Sequence, residues 1–196
     1  MHEPREKTAS LTVIIVTKNE AENIEECLSS VQFADEILVL DSGSSDDTVV
    51  KAKAAGATVH CTDWPGYGLQ QLRGIELSNS SWILSLDADE RISIELKNEI
   101  LTAISSPCAD GYRLPRRSSF CGQFMRASGW VPDYTLRLAK KELAGFTDHF
   151  LHAHMTVRGS QADLVTPIIH FSYRNLDDVL EKLNRYSRGA SIDLAN

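Results

Sequence analysis

No Cys-x-x-Cys pair, no Gly-x-Gly-x-x-Gly and no Gly-x-x-x-x-Gly-Lys-Ser/Thr occurs in this 196-residue sequence. The four cysteines, Cys27, Cys61, Cys108 and Cys121, stand far apart. Neither a zinc knuckle nor a disulfide framework is expected, and free thiols in a reducing cytosol are. Without the glycine fingerprints the chain reads as neither a dinucleotide-binding nor a P-loop protein. Long apolar runs are missing too. Leu11–Val16 is too short for a signal-peptide core or a membrane span. A chain of this kind that touched a membrane would have to lie on it. Basic residues are the scarcer charge, 20 against 27 acidic, for a net charge of -7. Nucleic acid is therefore not an expected partner, because a phosphate backbone asks for a basic face.

What is present is an ordinary globular composition, 42% hydrophobic and 24% charged, in a length that suits one domain. Leu11-Thr-Val-Ile-Ile-Val-Thr17 is a continuous apolar, β-branched run, the mark of a strand buried on both faces. Strands are also expected at Glu36–Asp41, Ala57–Cys61 and Trp82–Asp87. Helices are expected between them at Ala21–Ser29, Val49–Ala55 and Leu69–Leu77, with another at Ile94–Ile104. Alternation of this kind implies an α/β fold, a mostly parallel sheet flanked by helices. Ligands of such sheets collect at the carboxyl ends of the strands. Two of those ends carry acid, Asp41 and Asp87.

After Pro107 the pattern changes to short strand-like pieces near Tyr112–Leu114, Thr135–Leu138, Phe150–Val157 and Ile168–Phe171. A last helix is expected from about Leu176, and the chain ends at Asn196 still in a helical pattern. The whole reads as one domain with a first half over about 10–106 and a smaller, mixed second half over about 107–175. Charge divides along the same line. Gly111 to Lys141 holds seven basic residues against one acid, a local net of +6. Such asymmetry points to an anionic partner for the second half. The alternative is a solvated basic face.

Asp87-Ala88-Asp89 closes the fourth strand. Strand residues two apart face one way, and two carboxylates so placed suit a hard cation, Mg²⁺ or Mn²⁺. A group-transfer reaction with a diphosphate leaving group needs such a charge. The alternative is a pair of surface acids that cap the next helix. In Asp41-Ser-Gly-Ser-Ser-Asp-Asp-Thr48, Gly43 permits a tight turn, and Ser44 with Asp47 reads as a capping box. Asp41 has no such structural explanation, and at a strand end it can accept hydrogen bonds from a base or ribose. Thr17-Lys-Asn-Glu20 closes the first strand beside the same crevice, with helix capping by Asn19 as the alternative for its polar groups. Trp130 and Tyr134 can stack on sugar rings or simply pack. His149, His152, His154 and His170 do not form a zinc ligand set of known spacing.

The segments VIIVTKNEAENI, ADEILVLDSGSSDDTV, SWILSLDADERIS, SGWVPDYTLRL and PIIHFSYRN, in this order, resemble the inverting family-2 glycosyltransferases of GT-A fold. They are most similar to the bacterial lipopolysaccharide inner-core heptose β-1,4-glucosyltransferases. The resemblance runs from about Leu11 to Gly189. It implies that Thr17, Glu20 and Asp41 line a nucleotide pocket. Asp87 would contact ribose or sugar, and Asp89, with Asp87 beside it, would hold a divalent metal on the diphosphate. The donor would be a UDP-sugar and the acceptor an anionic glycolipid. Arg116, Arg117, Arg137 and Trp130 would meet that acceptor, since guanidinium suits phosphates and carboxylates. The expected place is the cytoplasm, with peripheral contact on the cytoplasmic face of the inner membrane. The resemblance also implies a chain that continues beyond Asn196 for some tens of residues.

Inversion requires a base for the acceptor hydroxyl. Where the family commonly reads Asp-Asp-Leu-Val-His-Glu, this chain has Asp148-His-Phe-Leu-His-Ala153. Leu72 stands where the family often has Asn. Asp148 is the chosen base, with Asp133 in reserve. Ala153 motivates a second expectation, a homologue that binds nucleotide-sugar without transferring it. Others are a transferase of the same fold acting on another cell-surface glycan, and a nucleotidyltransferase.

Overall fold

The computed structural model describes residues 9–125, 133–147, 153–173 and 179. Trp130, Asp148, His149, His152 and, save for Val179, the expected last helix lie outside the described residues.

The first half follows the expected alternation. Strand β1 is Leu11–Thr17, α1 Ile24–Ser30, β2 Glu36–Asp41, α2 Thr48–Ala54 and β3 Thr58–Cys61. Then come α3 Tyr67–Leu77, β4 Trp82–Asp87, the two-residue β5 Glu90–Arg91 and α4 Ile94–Ser105. The second half is strands: β6 Gly111–Phe120, β7 Gln123–Phe124, β8 Asp133–Lys140, β9 Ala144–Phe146, β10 Met155–Val157, β11 Gln161–Asp163 and β12 Ile168–Tyr173.

The two halves share one sheet, ordered β3-β2-β1-β4-β8-β6-β12-β5, with β7 and β11 also on β6. Strands β1 to β4 are parallel. Strand β8 runs antiparallel between β4 and β6, and β6 and β12 are again parallel. Chain order reverses at β1, with β2 on one side and β4 on the other, which is the switch point where such sheets open a crevice.

β1 explains the layering. Val13 and Ile15 pack with Ile24, Leu28, Leu96 and Ile100, so α1 and α4 cover that face. Ile14 packs with Leu40, Ile75, Ile83 and Met155, so α3 and the β9–β10 pair cover the other. Each fully buried Leu or Ile of this kind stabilises by about 1.5–3 kcal/mol relative to exposure. At Gly74 a Cβ would lie 2.5 Å from Ile14 Cγ2 and 3.0 Å from Leu40 Cδ1. The missing side chain is what lets α3 approach β1 and β2 so closely.

Candidate active site

Thr17 and Asp41 end neighbouring parallel strands in direct register. Thr17 Oγ1 donates to Asp41 Oδ1 across 3.3 Å. The Asp41 carboxylate also accepts from the Gly43 and Ser44 amides, at 3.0 and 2.9 Å, and from the Ser44 hydroxyl. Asp41 is only 1% exposed. Its carboxylate thus shapes the loop to Thr48 from beneath. Gly43 takes a φ of 80°, as the turn requires. The expected capping box does not form. Asp47 occupies the cap position of α2 without a side-chain bond, and Asp46 accepts from the Thr48 amide instead.

Asn19 does not cap a helix. It adopts φ 56°, a left-handed conformation that Asn tolerates, and its Oδ1 accepts from the Ser45 amide. Glu20 donates its amide to Thr48 Oγ1 and accepts from Asn23 Nδ2. The loops after β1 and β2, which follow Thr17 and Asp41, are therefore tied together through Asn19 and Glu20.

Asp87 and Asp89 do not share a strand face. β4 ends at Asp87, and Asp89 belongs to the turn before β5. They also do not cap α4, whose cap is Ser93 accepting from the Leu96 amide. Asp87 Oδ1 accepts from the Tyr67 hydroxyl at 2.5 Å, and Oδ2 accepts from Arg137 Nη2 at 2.8 Å. Both oxygens of the expected second metal ligand thus already have protein donors. Burial works to raise the Asp87 carboxyl, but the Arg137 charge and hydrogen bond outweigh it and hold the group well below the usual carboxylate range. Burial and the Asp87 charge push the Tyr67 phenol up, so it stays a donor.

Arg137, expected to face the acceptor, is instead buried at 8% exposure, and its Nη2 also donates to Glu90 Oε1 at 2.9 Å. Glu90 is fully buried, and burial pushes its carboxyl up to about 7 against the pull of Arg137. Arg116 approaches the same Glu90 oxygen at 3.9 Å and donates from Nε and Nη2 to Asp133 Oδ2. Arg117, one position on, faces the other way and sits 4.5 Å over the Phe124 ring. The structure therefore gathers Arg116, Arg137 and Asp133 with Asp87 and leaves Arg117 apart.

Asp89 Oδ2 faces His170 Nε2 at 3.5 Å. The other ring nitrogen, Nδ1, lies 2.9 Å from the Ser118 hydroxyl and 3.0 Å from that of Ser172. Those hydroxyls fix the ring so that Nε2 points at the carboxylate. The carboxylate suits Mn²⁺ or Mg²⁺, cations that commonly fill their remaining positions with substrate phosphate and water, and the imidazole beside it favours the transition metal, Mn²⁺, of the two. No group of three or more His, Cys, Asp or Glu side chains able to hold a metal occurs among the described residues.

Sequence reasoning gave Tyr67, Glu90 and His170 no part in this site. Glu90 adjoins the Asp-Ala-Asp run and Tyr67 opens a helix after Gly66, which are the signals available. The pairing of His170 with Asp89 depends on β5 lying against β12, a tertiary contact.

The family model for glycosyl transferase family 2 matches residues 12–162. An uncharacterized glycosyltransferase of Rickettsia bellii is 42% identical over 54% of the chain, and the match spans only 36% of that relative's length. One from Rickettsia prowazekii is 39% identical over 94% of the chain and 68% of the relative. The lipopolysaccharide core biosynthesis glycosyltransferase LpsC of Rhizobium meliloti is 26% identical over 90% of the chain and 68% of its own. Among solved structures, S. aureus TarS 1-349 in complex with UDP-GlcNAc aligns with a TM-score of 0.61 at 17% identity. That alignment covers 85% of this chain and 59% of TarS 1-349. The likeness shows a shared fold, the GT-A type, with its mostly parallel sheet.

Proposed function

We propose, for a chain that belongs to glycosyl transferase family 2, that it transfers a hexose from a UDP-sugar, with glucose as the hexose. The acceptor we infer is a heptose of the lipopolysaccharide inner core, reached with inversion. One observation carries the reading: Asp89 and His170 face each other beside Asp87, at the end of the strand that borders the crevice. The likeness to LpsC supports the core acceptor. TarS, a neighbour in fold, has been crystallised with UDP-GlcNAc, which supports a UDP-sugar.

In this reading Thr17, Glu20 and Asp41 shape the wall against which the nucleotide lies. Asp87, held ionised and fixed in direction, meets the ribose or sugar. Asp89 and His170 hold the divalent ion. That ion supplies the charge that stabilises the departing diphosphate. Arg116 serves the anionic acceptor from the half-exposed side, with Trp130 stacking on its sugar, and Arg137 acts beneath. Asp148 takes the acceptor's proton, with Asp133 as second choice. Arg116 places both its bonds on Asp133 Oδ2, which leaves Oδ1 to accept a proton.

Ala153 favours a second reading. A Cβ on Gly68 would lie 3.1 Å from the Ala153 Cβ, so position 153 adjoins the start of α3 and Tyr67. A methyl group there supplies no carboxylate. In that case the protein binds UDP-sugar but releases no UDP when core acceptor is added.

Asp89→Asn tests the leading reading. Removing one charge-stabilising group from such a site costs about 10²–10³ in rate. Transfer of labelled glucose from UDP-glucose to deacylated core should fall by about that factor. Transfer at the parent's rate would overturn it.

A further inference from the structure

Glu90 is fully buried, yet it is an acid. Its two oxygens have different partners. Oε2 accepts the Asp87 amide at 3.0 Å, and Oε1 accepts Arg137 Nη2 at 2.9 Å. The same Nη2 donates to the Asp87 carboxylate at 2.8 Å. Backbone and side chain of Asp87 are thus both tied into one closed ring with Glu90 and Arg137. Beyond the ring, Arg91 Nη1 donates to the Ala88 and Glu90 carbonyls, and the Phe171 amide donates to the Asp89 carbonyl. A buried ion pair is a poor device for stability, since apolar side chains of equal volume do as well. What the ring adds is direction: it permits one orientation of Asp87 and one course for the turn that follows.

We propose that Glu90 and Arg137 are positioning residues of the donor site, a brace that fixes Asp87 and presents Asp89 to the diphosphate. The inference rests on the donor reading above. Neither residue touches the substrate. Each acts through Asp87.

The test has two arms on the whole chain. Amide hydrogen exchange on the ligand-free protein reads the brace, with β1 amides as the internal reference for global opening. UDP titration with Mn²⁺ reads its consequence. In Glu90→Gln the side-chain amide has only one oxygen, so it can satisfy the Asp87 amide or Arg137 but not both. Exchange at Asp87 to Glu90 should rise roughly tenfold with β1 unchanged, and UDP should bind roughly tenfold more weakly. Arg137→Met should do the same. Arg137→Lys should recover part of the affinity, since it keeps the charge but not the fork. Turn exchange at the parent's level in Glu90→Gln overturns the brace, whatever UDP does. Faster exchange with parental UDP affinity overturns the positioning role and leaves Glu90 a purely structural acid. A parent protein that binds no UDP sinks the donor reading, and the donor half of this inference with it, while the exchange arm still decides whether the brace exists.

Discussion

Asp87, Glu90 and Arg137 put three ionisable groups together in a largely buried cluster, and removing one strands the others. Loss of one partner from a buried pair costs about 3–5 kcal/mol. Arg137→Leu should lower unfolding stability by about that amount in urea titration. The double change with Glu90→Gln should cost less than the two single changes added, because they share one interaction. Asp110 makes a separate, pH-dependent case. Hydrogen bonds from Lys140 and from Ser160 lower its carboxyl from 3.8 to about 2. The unfolded chain binds that proton first, so the stabilisation is present above 3.8 and is lost as pH falls through about 2. Asp110→Asn should therefore flatten the acid limb of the stability curve between those values and leave its shape near neutrality unchanged. An acid limb as steep as the parent's would contradict this account of Asp110.

Helix α3 shows how elements depend on single small residues. A Cβ at Gly68 would meet the Thr147 carbonyl oxygen at 2.4 Å, so the backbone itself would have to move. At Gly74 the obstacles are side chains, Ile14 and Leu40. Overpacking of that kind costs about 1–3 kcal/mol, and Gly74→Val should lower the unfolding midpoint accordingly. Gly68→Ala should weaken nucleotide binding more than stability, because the displaced helix start carries Tyr67. Melting curves beside UDP titrations separate the two effects. The same contrast of scale governs what the sequence reveals. Strands β1, β2 and β4 are legible residue for residue, because each is an apolar run bounded by polar ends. Strands β5, β7, β9 and β11 are two or three residues long and exist only because a neighbouring strand pairs with them. β6 extends to ten residues where three were expected. Its Pro115 and run of arginines and serines hide the pattern, and Pro115 falls between the stretches paired to β11 and to β12. The acids at the strand ends were visible in the same way, but their directions were not. The turn that separates Asp89 from Asp87 is set by Glu90, Arg91 and β12, which no local periodicity encodes.

Across the whole molecule, the basic run from Gly111 to Lys141 proves to be mostly internal glue. Arg113 pairs with Asp163, Arg116 with Asp133, Arg137 with Asp87 and Glu90, and Lys140 with Asp110. Lys141 donates to the Ser78 carbonyl. Two of these acids, Asp87 and Glu90, come from the first half, so part of the charge asymmetry serves to join the halves. The exposed Arg113–Asp163 pair contributes little to stability, as surface pairs do. No helix among the described residues is long and apolar enough to cross a membrane. The fold brings the acids of β2 and β4, the α3 start and His170 of β12 to one side of the crevice. The central claim is that this convergence holds a divalent ion against a UDP diphosphate. Calorimetric titration of UDP into the parent and Asp89→Asn, each with and without Mn²⁺, tests it most directly. The account predicts UDP binding that depends on Mn²⁺ in the parent and loses that dependence in the variant. No UDP binding by the parent, or equal Mn²⁺-dependent binding by both, would contradict it.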